Sequence, residues 1–198
     1  MRVRRTGQAL TQDVCLVANH VSWMDILVLG GATGCAFVSK EEVGRWPLIG
    51  WLAAQNNTIL IRRAQRGDVS AQVETLRAAL GRHQPVALFP EGTTGDGITL
   101  QPFKPALFAT FVPPPPGIRI QPVLIDYGAA RAAMGWIGDE PALANARRIL
   151  SRRCTIATLH FLDPLDPAEH PDRKALAAAA HGRIAAAMAS FPGGAAPV

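Results

Sequence analysis

His20 and Asp25 stand five residues apart as an H-x-x-x-x-D pair. A carboxylate within reach of one imidazole nitrogen fixes the tautomer and leaves the other nitrogen to take a proton from a hydroxyl. The pair alone is a weak signal, because five histidines and nine aspartates in 198 residues give about 0.2 such pairs by chance. It also has a plainer reading, in which Ser22 caps a helix, Asp25 lies in its first turn and His20 is an ordinary loop residue. Glu91 opens the loop EGTTGDGIT after an apolar run. There it can tie down backbone N–H groups and can hold a hydroxyl or an arginine, and the two roles are not exclusive. Arg62, Arg63 and Arg66 cluster after another apolar run, where a guanidinium takes a phosphate bidentately; a solvated basic turn is the competing reading. Lys40 and Lys104 are surface lysines that add positive charge near the same groups. His83, His160, His170 and His181 have no acid at comparable spacing and are read as structural or exposed.

These residues need a scaffold, and the hydrophobic pattern supplies one. VCLVA at 14–18, CAFVS at 35–39, TILI at 58–61, VALF at 86–89, IRIQPVLI at 118–125 and TIATLHFL at 155–162 are short and apolar with many β-branched residues, which predicts strands. Between them fall helix signals. Ser22 and Asp25 form a capping pattern before Ile26–Leu29, with Gly30-Gly31 expected to stop the run. WPLIGWLAAQ at 46–55 reads as a short helix, and Val69, Val73, Leu76 and Leu80 recur at helical spacing between Asp68 and Gly81. A short helix is expected around 104–111, and four prolines at 113–116 mark a turn. ALANARRILSR and the alanine-rich DRKALAAAAHGRIAAAMAS complete the series, and the tail from about 191 is expected to be loose. Alternating strands and helices predict an α/β fold: one domain over residues 1–198, with a mostly parallel mixed sheet flanked by helices. Ligands of such sheets gather at the carboxyl ends of the strands. Asn19, His20, Glu91 and the residues after Ile61 are therefore expected on one rim. Trp23 is read as core; Trp46 and Trp51 as core or membrane-interface residues.

Composition narrows the class. The chain is 48% hydrophobic and 18% charged, with net charge +5 and 17 arginines against 3 lysines, which favours phosphate or carboxylate partners. Cys15, Cys35 and Cys154 form neither a C-x-x-C pair nor a zinc-finger spacing, so no metal site or disulfide framework is indicated and a reducing environment fits. There is no Walker A pattern, no G-x-G-x-x-G after a strand and no H-E-x-x-H, which weighs against nucleotide hydrolysis, dinucleotide redox chemistry and zinc proteolysis. The arginines are dispersed without aromatic interleaving, so nucleic acid is not an expected partner. No uninterrupted apolar run is long enough to span a bilayer. No serine lies in a G-x-S-x-G elbow and no cysteine adjoins a histidine, so direct attack by a hydroxyl that His20 deprotonates is preferred to a covalent intermediate on the protein.

Four ordered blocks carry a resemblance: Asn19-His20-Val21-Ser22-Trp23-Met24-Asp25, Thr58-Ile59-Leu60-Ile61-Arg62-Arg63, Phe89-Pro90-Glu91-Gly92-Thr93-Thr94 and Gln121-Pro122-Val123. Over residues 14–126 the chain resembles the glycerolipid acyltransferase family, bacterial 1-acylglycerol-3-phosphate acyltransferases in particular, with the first block as its HX4D motif. The resemblance implies that His20 is the general base and that Asp25 orients it. It implies an acceptor phosphate site lined by Arg63, Glu91 and Gly92, with Thr93 and Arg62 beside them. Arg62 stands where the family often has an acidic or small residue, and makes that site more basic. The implied reaction moves a fatty acyl group from acyl-CoA or acyl carrier protein, with no further cofactor, to a lysophospholipid, foremost 1-acylglycerol 3-phosphate, giving phosphatidic acid. A lyso-ornithine lipid or another lysolipid is the alternative acceptor. A non-catalytic lipid-binding module and a hydrolase are alternatives of other classes. Many family members carry an apolar or amphipathic segment before the first block, whereas 18 residues precede Asn19. The expectation is peripheral docking on the cytoplasmic side of a membrane, or else an anchor that relatives have and this sequence lacks.

Overall fold

A computed structural model of the chain describes residues 1–40, 59–61, 78–81 and 83–191. Seven strands form one sheet: β1 (Arg2–Thr6), β2 (Val14–Ala18), β3 (Ala36–Lys40), β4 (Ile59–Ile61), β5 (Val86–Leu88), β6 (Arg119–Asp126) and β7 (Ile156–Phe161), in the order β1-β7-β6-β2-β5-β3-β4. Every neighbouring pair is parallel except β6 with β7. This is the expected mostly parallel mixed sheet.

The segment VCLVA is buried at all five positions because its two faces meet two different cores. Val14, Leu16 and Ala18 join Val28 and Leu29 of α1 (Met24–Thr33) with Val123, Ile125 and Leu159. Cys15 and Val17 face the other way, towards Phe108, Phe111, Leu176 and Ile184. A continuous apolar run, rather than an alternating one, is what a strand covered on both faces requires. The second cover is built from a 3₁₀ segment, Pro105–Phe111, and the long C-terminal helix Arg173–Ser190. Between these come a short helix α2 (Arg131–Met134) and α3 (Ala142–Leu150), so the C-terminal helix is α4.

One expectation is corrected. Gly30-Gly31 does not stop α1; the helix runs to Thr33 and ends at Gly34, whose φ of 67° lets its N–H reach back to the Gly30 carbonyl at 2.8 Å. Only glycine takes that left-handed conformation without strain. The short helix expected around 104–111 is the 3₁₀ segment Pro105–Phe111. RVRRT at 2–6, which carries no strand pattern, forms β1, exposed at all five positions and held through its ladder to β7. The helix expected at 46–55, most of that at 68–81, and residues 192–198 of the tail lie outside the described residues.

Candidate active site

Strands β2, β5 and β6 run parallel, so the residues that follow them emerge at one edge of the sheet. After β2 ends, the side chain of Asn19 continues its hydrogen bonding in place of backbone. Its Oδ1 accepts the Ile125 N–H at 2.7 Å, and its Nδ2 donates to the Ile125 carbonyl at 3.1 Å. That fastens the loop to β6 and carries His20 over the edge. The His20 ring stacks on Phe89, the residue after β5, with centroids 4.1 Å apart. Its N–H donates to Glu91 Oε1 at 2.7 Å, and its carbonyl accepts the Gly95 N–H at 2.9 Å. Ring, backbone donor and backbone acceptor are thus all held by the one segment that follows β5.

His20 Nδ1 lies 2.8 Å from Asp25 Oδ2; the histidine side chain is 16% exposed and the aspartate 0%. Burying a carboxylate costs several kcal/mol unless donors surround it. Asp25 Oδ2 also accepts the N–H groups of Val21 (2.6 Å) and Ser22 (2.9 Å), and Oδ1 accepts the Tyr127 hydroxyl at 2.6 Å. Its place in the first turn of α1 adds the favourable end of the helix dipole. Burial and the neighbouring Asp25 hold the Tyr127 phenol well above its ordinary range, which keeps it a donor. With three donors already committed to this carboxylate, the consistent assignment makes Nδ1 the fourth. Nε2 then carries the lone pair, and among the described residues no hydrogen bond reaches it. The helix-start reading and the base-orienting reading of Asp25 therefore describe one carboxylate. Ser22 contributes to the helix start mainly through its backbone N–H, because its Oγ is 3.4 Å from the Met24 N–H.

Glu91 ties down backbone. Its Oε1 takes the His20 N–H and its Oε2 the Gln101 N–H at 3.1 Å. Burial raises its carboxyl to about 7, against the opposing pull of those two N–H groups and of His20. Gly92 adopts a φ of +71°, and a Cβ there would come within 2.5 Å of Lys104 Nζ. A lysine ammonium therefore lies across the glycine that follows Glu91. Thr93 is exposed beside it. The structure brings together Asn19, His20, Asp25 and Glu91, with Gly92 and Thr93 adjoining. Arg62, Arg63 and Arg66 lie outside the described residues, as do the side chain of Lys40 and Trp46 and Trp51.

Tyr127 and Phe89 were not singled out from the sequence. Tyr127 is the only tyrosine in the chain and directly follows a strand, which is the signal that was there to use. Trp23 is partly buried against the core, and its indole N–H donates to Asn145 Oδ1 at 3.0 Å. His83, unpaired by sequence spacing, meets Asp13 at 2.7 Å on the surface. His160 is buried, with Nδ1 2.8 Å from Thr6 Oγ1. Burial lowers its pKa. Among the described residues, no group of His, Cys, Asp and Glu could hold a metal ion, and no helix is long and apolar enough to cross a membrane.

The family model for acyltransferases matches residues 2–126. A lyso-ornithine lipid O-acyltransferase of Rhodobacter capsulatus is 36% identical over 95% of this chain and 70% of its own length. One of Pseudomonas aeruginosa is 38% identical over 94% and 72%. A 1-acyl-sn-glycerol-3-phosphate acyltransferase of Neisseria gonorrhoeae is 31% identical over 89% and 69%. In fold, the chain is similar to the crystal structure of the 1-acyl-sn-glycerophosphate acyltransferase PlsC of Thermotoga maritima. The TM-score is 0.68 at 22% identity, over 99% of this chain and 74% of that one. The four sequence blocks, the α/β sheet that brings Asn19, His20 and Glu91 to one edge and these matches agree, and the chain belongs to the acyltransferase family.

Proposed function

We propose that this enzyme transfers a fatty acyl group from acyl-CoA or acyl carrier protein to the free hydroxyl of a lysolipid, with lyso-ornithine lipid as the favoured acceptor. The observation that carries the chemistry is the 2.8 Å contact from His20 Nδ1 to the fully buried Asp25, which leaves Nε2 open at the sheet edge. In this reading Nε2 takes the proton of the acceptor hydroxyl as its oxygen attacks the thioester carbonyl. The tetrahedral intermediate then collapses, the C–S bond breaks, and the proton passes from the imidazolium to the departing thiolate. An alcohol hydroxyl is far too weak an acid to ionise near neutrality by itself, and a positioned base contributes about 10² to 10⁴ in rate. Asp25 is a positioning residue that also stabilises the imidazolium as it forms. Glu91 shapes the loop through its two backbone contacts, while Gly92, Thr93, Arg62 and Arg63 are assigned to the acceptor's polar group.

The choice of acceptor rests on similarity. The two lyso-ornithine lipid enzymes share 36% and 38% identity with this chain, against 31% for the 1-acyl-sn-glycerol-3-phosphate enzyme. This favours the alternative acceptor of the sequence reading over its first choice. The test is a panel of lysolipid acceptors, incubated with acyl-CoA or acyl carrier protein donors and resolved by mass. Diacylated ornithine lipid as the main product supports the proposal. Phosphatidic acid as the main product shifts the acceptor to 1-acylglycerol 3-phosphate. Free fatty acid without acceptor points to a hydrolase, and lysolipid binding without product to a non-catalytic module.

A further inference from the structure

The solvent face of α3 is built the wrong way round for a helix on an aqueous surface. Asn145 and Ile149 are buried, while Leu143 is 83% and Leu150 is 68% exposed. Leu143, Arg147 and Leu150 follow one another at spacings of four and three, so they share a face. Ile137, in the turn before the helix, is 59% exposed. Isolated exposed leucines are ordinary, but an apolar row interleaved with arginines is the pattern of a helix that lies in a lipid interface. Between residues 137 and 155 there are four arginines and two acids. Glu140 is taken by Arg148 at 2.7 Å, so Arg147, Arg152 and Arg153 face solvent against Asp139 alone.

This face is fixed to the catalytic edge. Asn145 accepts the indole N–H of Trp23, three residues after His20, and donates to the Gly135 carbonyl at 3.2 Å. Trp136 in turn donates its N–H to the Val21 carbonyl at 3.0 Å. The chain then passes through Arg152 and Arg153 into β7, which starts beside the end of β6 because these two strands are antiparallel. Arg2 lies next to this junction, its N–H donating to the Thr155 carbonyl at 2.9 Å. The basic end of the patch and the loop carrying His20 therefore share an edge of the sheet.

We infer that Leu143 and Leu150, with Ile137 before them and Arg147, Arg152 and Arg153 around them, form a docking surface for an anionic lipid bilayer. The leucines enter the interface and the guanidiniums meet phosphate. Only the choice of a lipid occupant leans on the proposed function; the face itself does not.

The test is co-flotation of the full chain with vesicles of phosphatidylcholine alone or mixed with phosphatidylglycerol. The wild type is expected to prefer the mixed vesicles by tenfold or more. Combined Arg147→Gln, Arg152→Gln and Arg153→Gln should abolish that preference. Leu143→Ser with Leu150→Ser should weaken binding to both vesicles by about tenfold or more. Both variants should keep wild-type turnover on a short-chain acceptor dissolved as monomers, which also shows that they are folded. Wild-type vesicle binding by both variants would overturn the inference. So would a wild type that binds neither vesicle, or a leucine variant whose only change is the loss of a dimer in sedimentation. Flotation is read without turnover, so failure of acyl transfer and failure of docking are separate results.

Discussion

Among the described residues, two histidine–aspartate pairs have nearly the same contact distance: His20 with Asp25 at 2.8 Å, and His83 with Asp13 at 2.7 Å. Their surroundings are opposite. Asp25 is fully buried and accepts four hydrogen bonds, whereas Asp13 is 35% exposed and its histidine 73%. The first pair lies beyond the carboxyl ends of the strands. The second lies at their amino ends, with Asp13 just before β2 and His83 just before β5. Asp13 and His83 also both have positive φ, 52° and 60°, so the second pair joins two turns. A short contact is therefore not what makes a base. Exclusion of water around the carboxylate, further donors that fix its orientation, and an imidazole nitrogen turned towards the ligand edge separate the two.

Mutating both pairs in parallel is the sharpest way to break this contrast. His20→Ala is expected to lower turnover by about 10² to 10⁴, with the melting transition close to wild type. His83→Ala should leave turnover within about twofold, as for a surface substitution away from the chemistry. Comparable losses from the two, measured as initial rates with saturating acceptor, would erase the distinction. The aspartates come next. Asp25→Asn places an amide that can donate against the Val21 and Ser22 N–H groups, and should cost about 3 kcal/mol in denaturant unfolding together with most of the activity. Asp13→Asn should stay within about 0.5 kcal/mol of wild type.

Tyr127 tests how far the buried pair depends on its supporting donor. Tyr127→Phe removes one charge-assisted hydrogen bond without leaving a large cavity, so about 2 kcal/mol of stability and roughly tenfold in turnover are expected to be lost. If the loss falls wholly on stability, with turnover per folded molecule unchanged, the phenol supports the fold and not the orientation of Asp25.

The same comparison shows what was legible beforehand. His20 and Asp25 are five residues apart, so their contact is local and the capping geometry announces it. Asp13 and His83 are separated by 70 residues, and Tyr127 and Asp25 by 102. Such contacts exist only once the strand order is known. Buried strands such as VCLVA were readable because water exclusion on both faces demands an unbroken apolar run. β1 was not, because RVRRT buries nothing and is set by its ladder to β7. The end of α1 was misplaced because glycines inside a packed helix are tolerated, and the αL position at Gly34, not the glycine pair, decides where the chain turns. Glu91 kept two readings from sequence. Both of its oxygens are seen to hold backbone N–H groups, which realises the plainer one.

Glu91 supplies the smallest expected effect and a third carboxylate for the comparison. It reaches His20 through the backbone, where Asp25 reaches the ring. It accepts two hydrogen bonds where Asp25 accepts four, and burial lifts its carboxyl from 4.5 to about 7. A carboxyl with a raised folded-state pKa binds more protons folded than unfolded between those two values. Stability therefore falls as pH rises through that window and is level on either side of it. The expected decline is roughly 1 kcal/mol or more between about pH 5 and pH 7.5. Glu91→Gln removes the titration and should flatten this part of the profile, measured by urea unfolding at each pH. An unchanged slope in Glu91→Gln would assign the decline to another group. A wild-type profile level across this window, with stability lost instead as pH falls below about 4.5, would mean that the two N–H groups outweigh burial, making Glu91 a weaker version of Asp25 rather than its contrast.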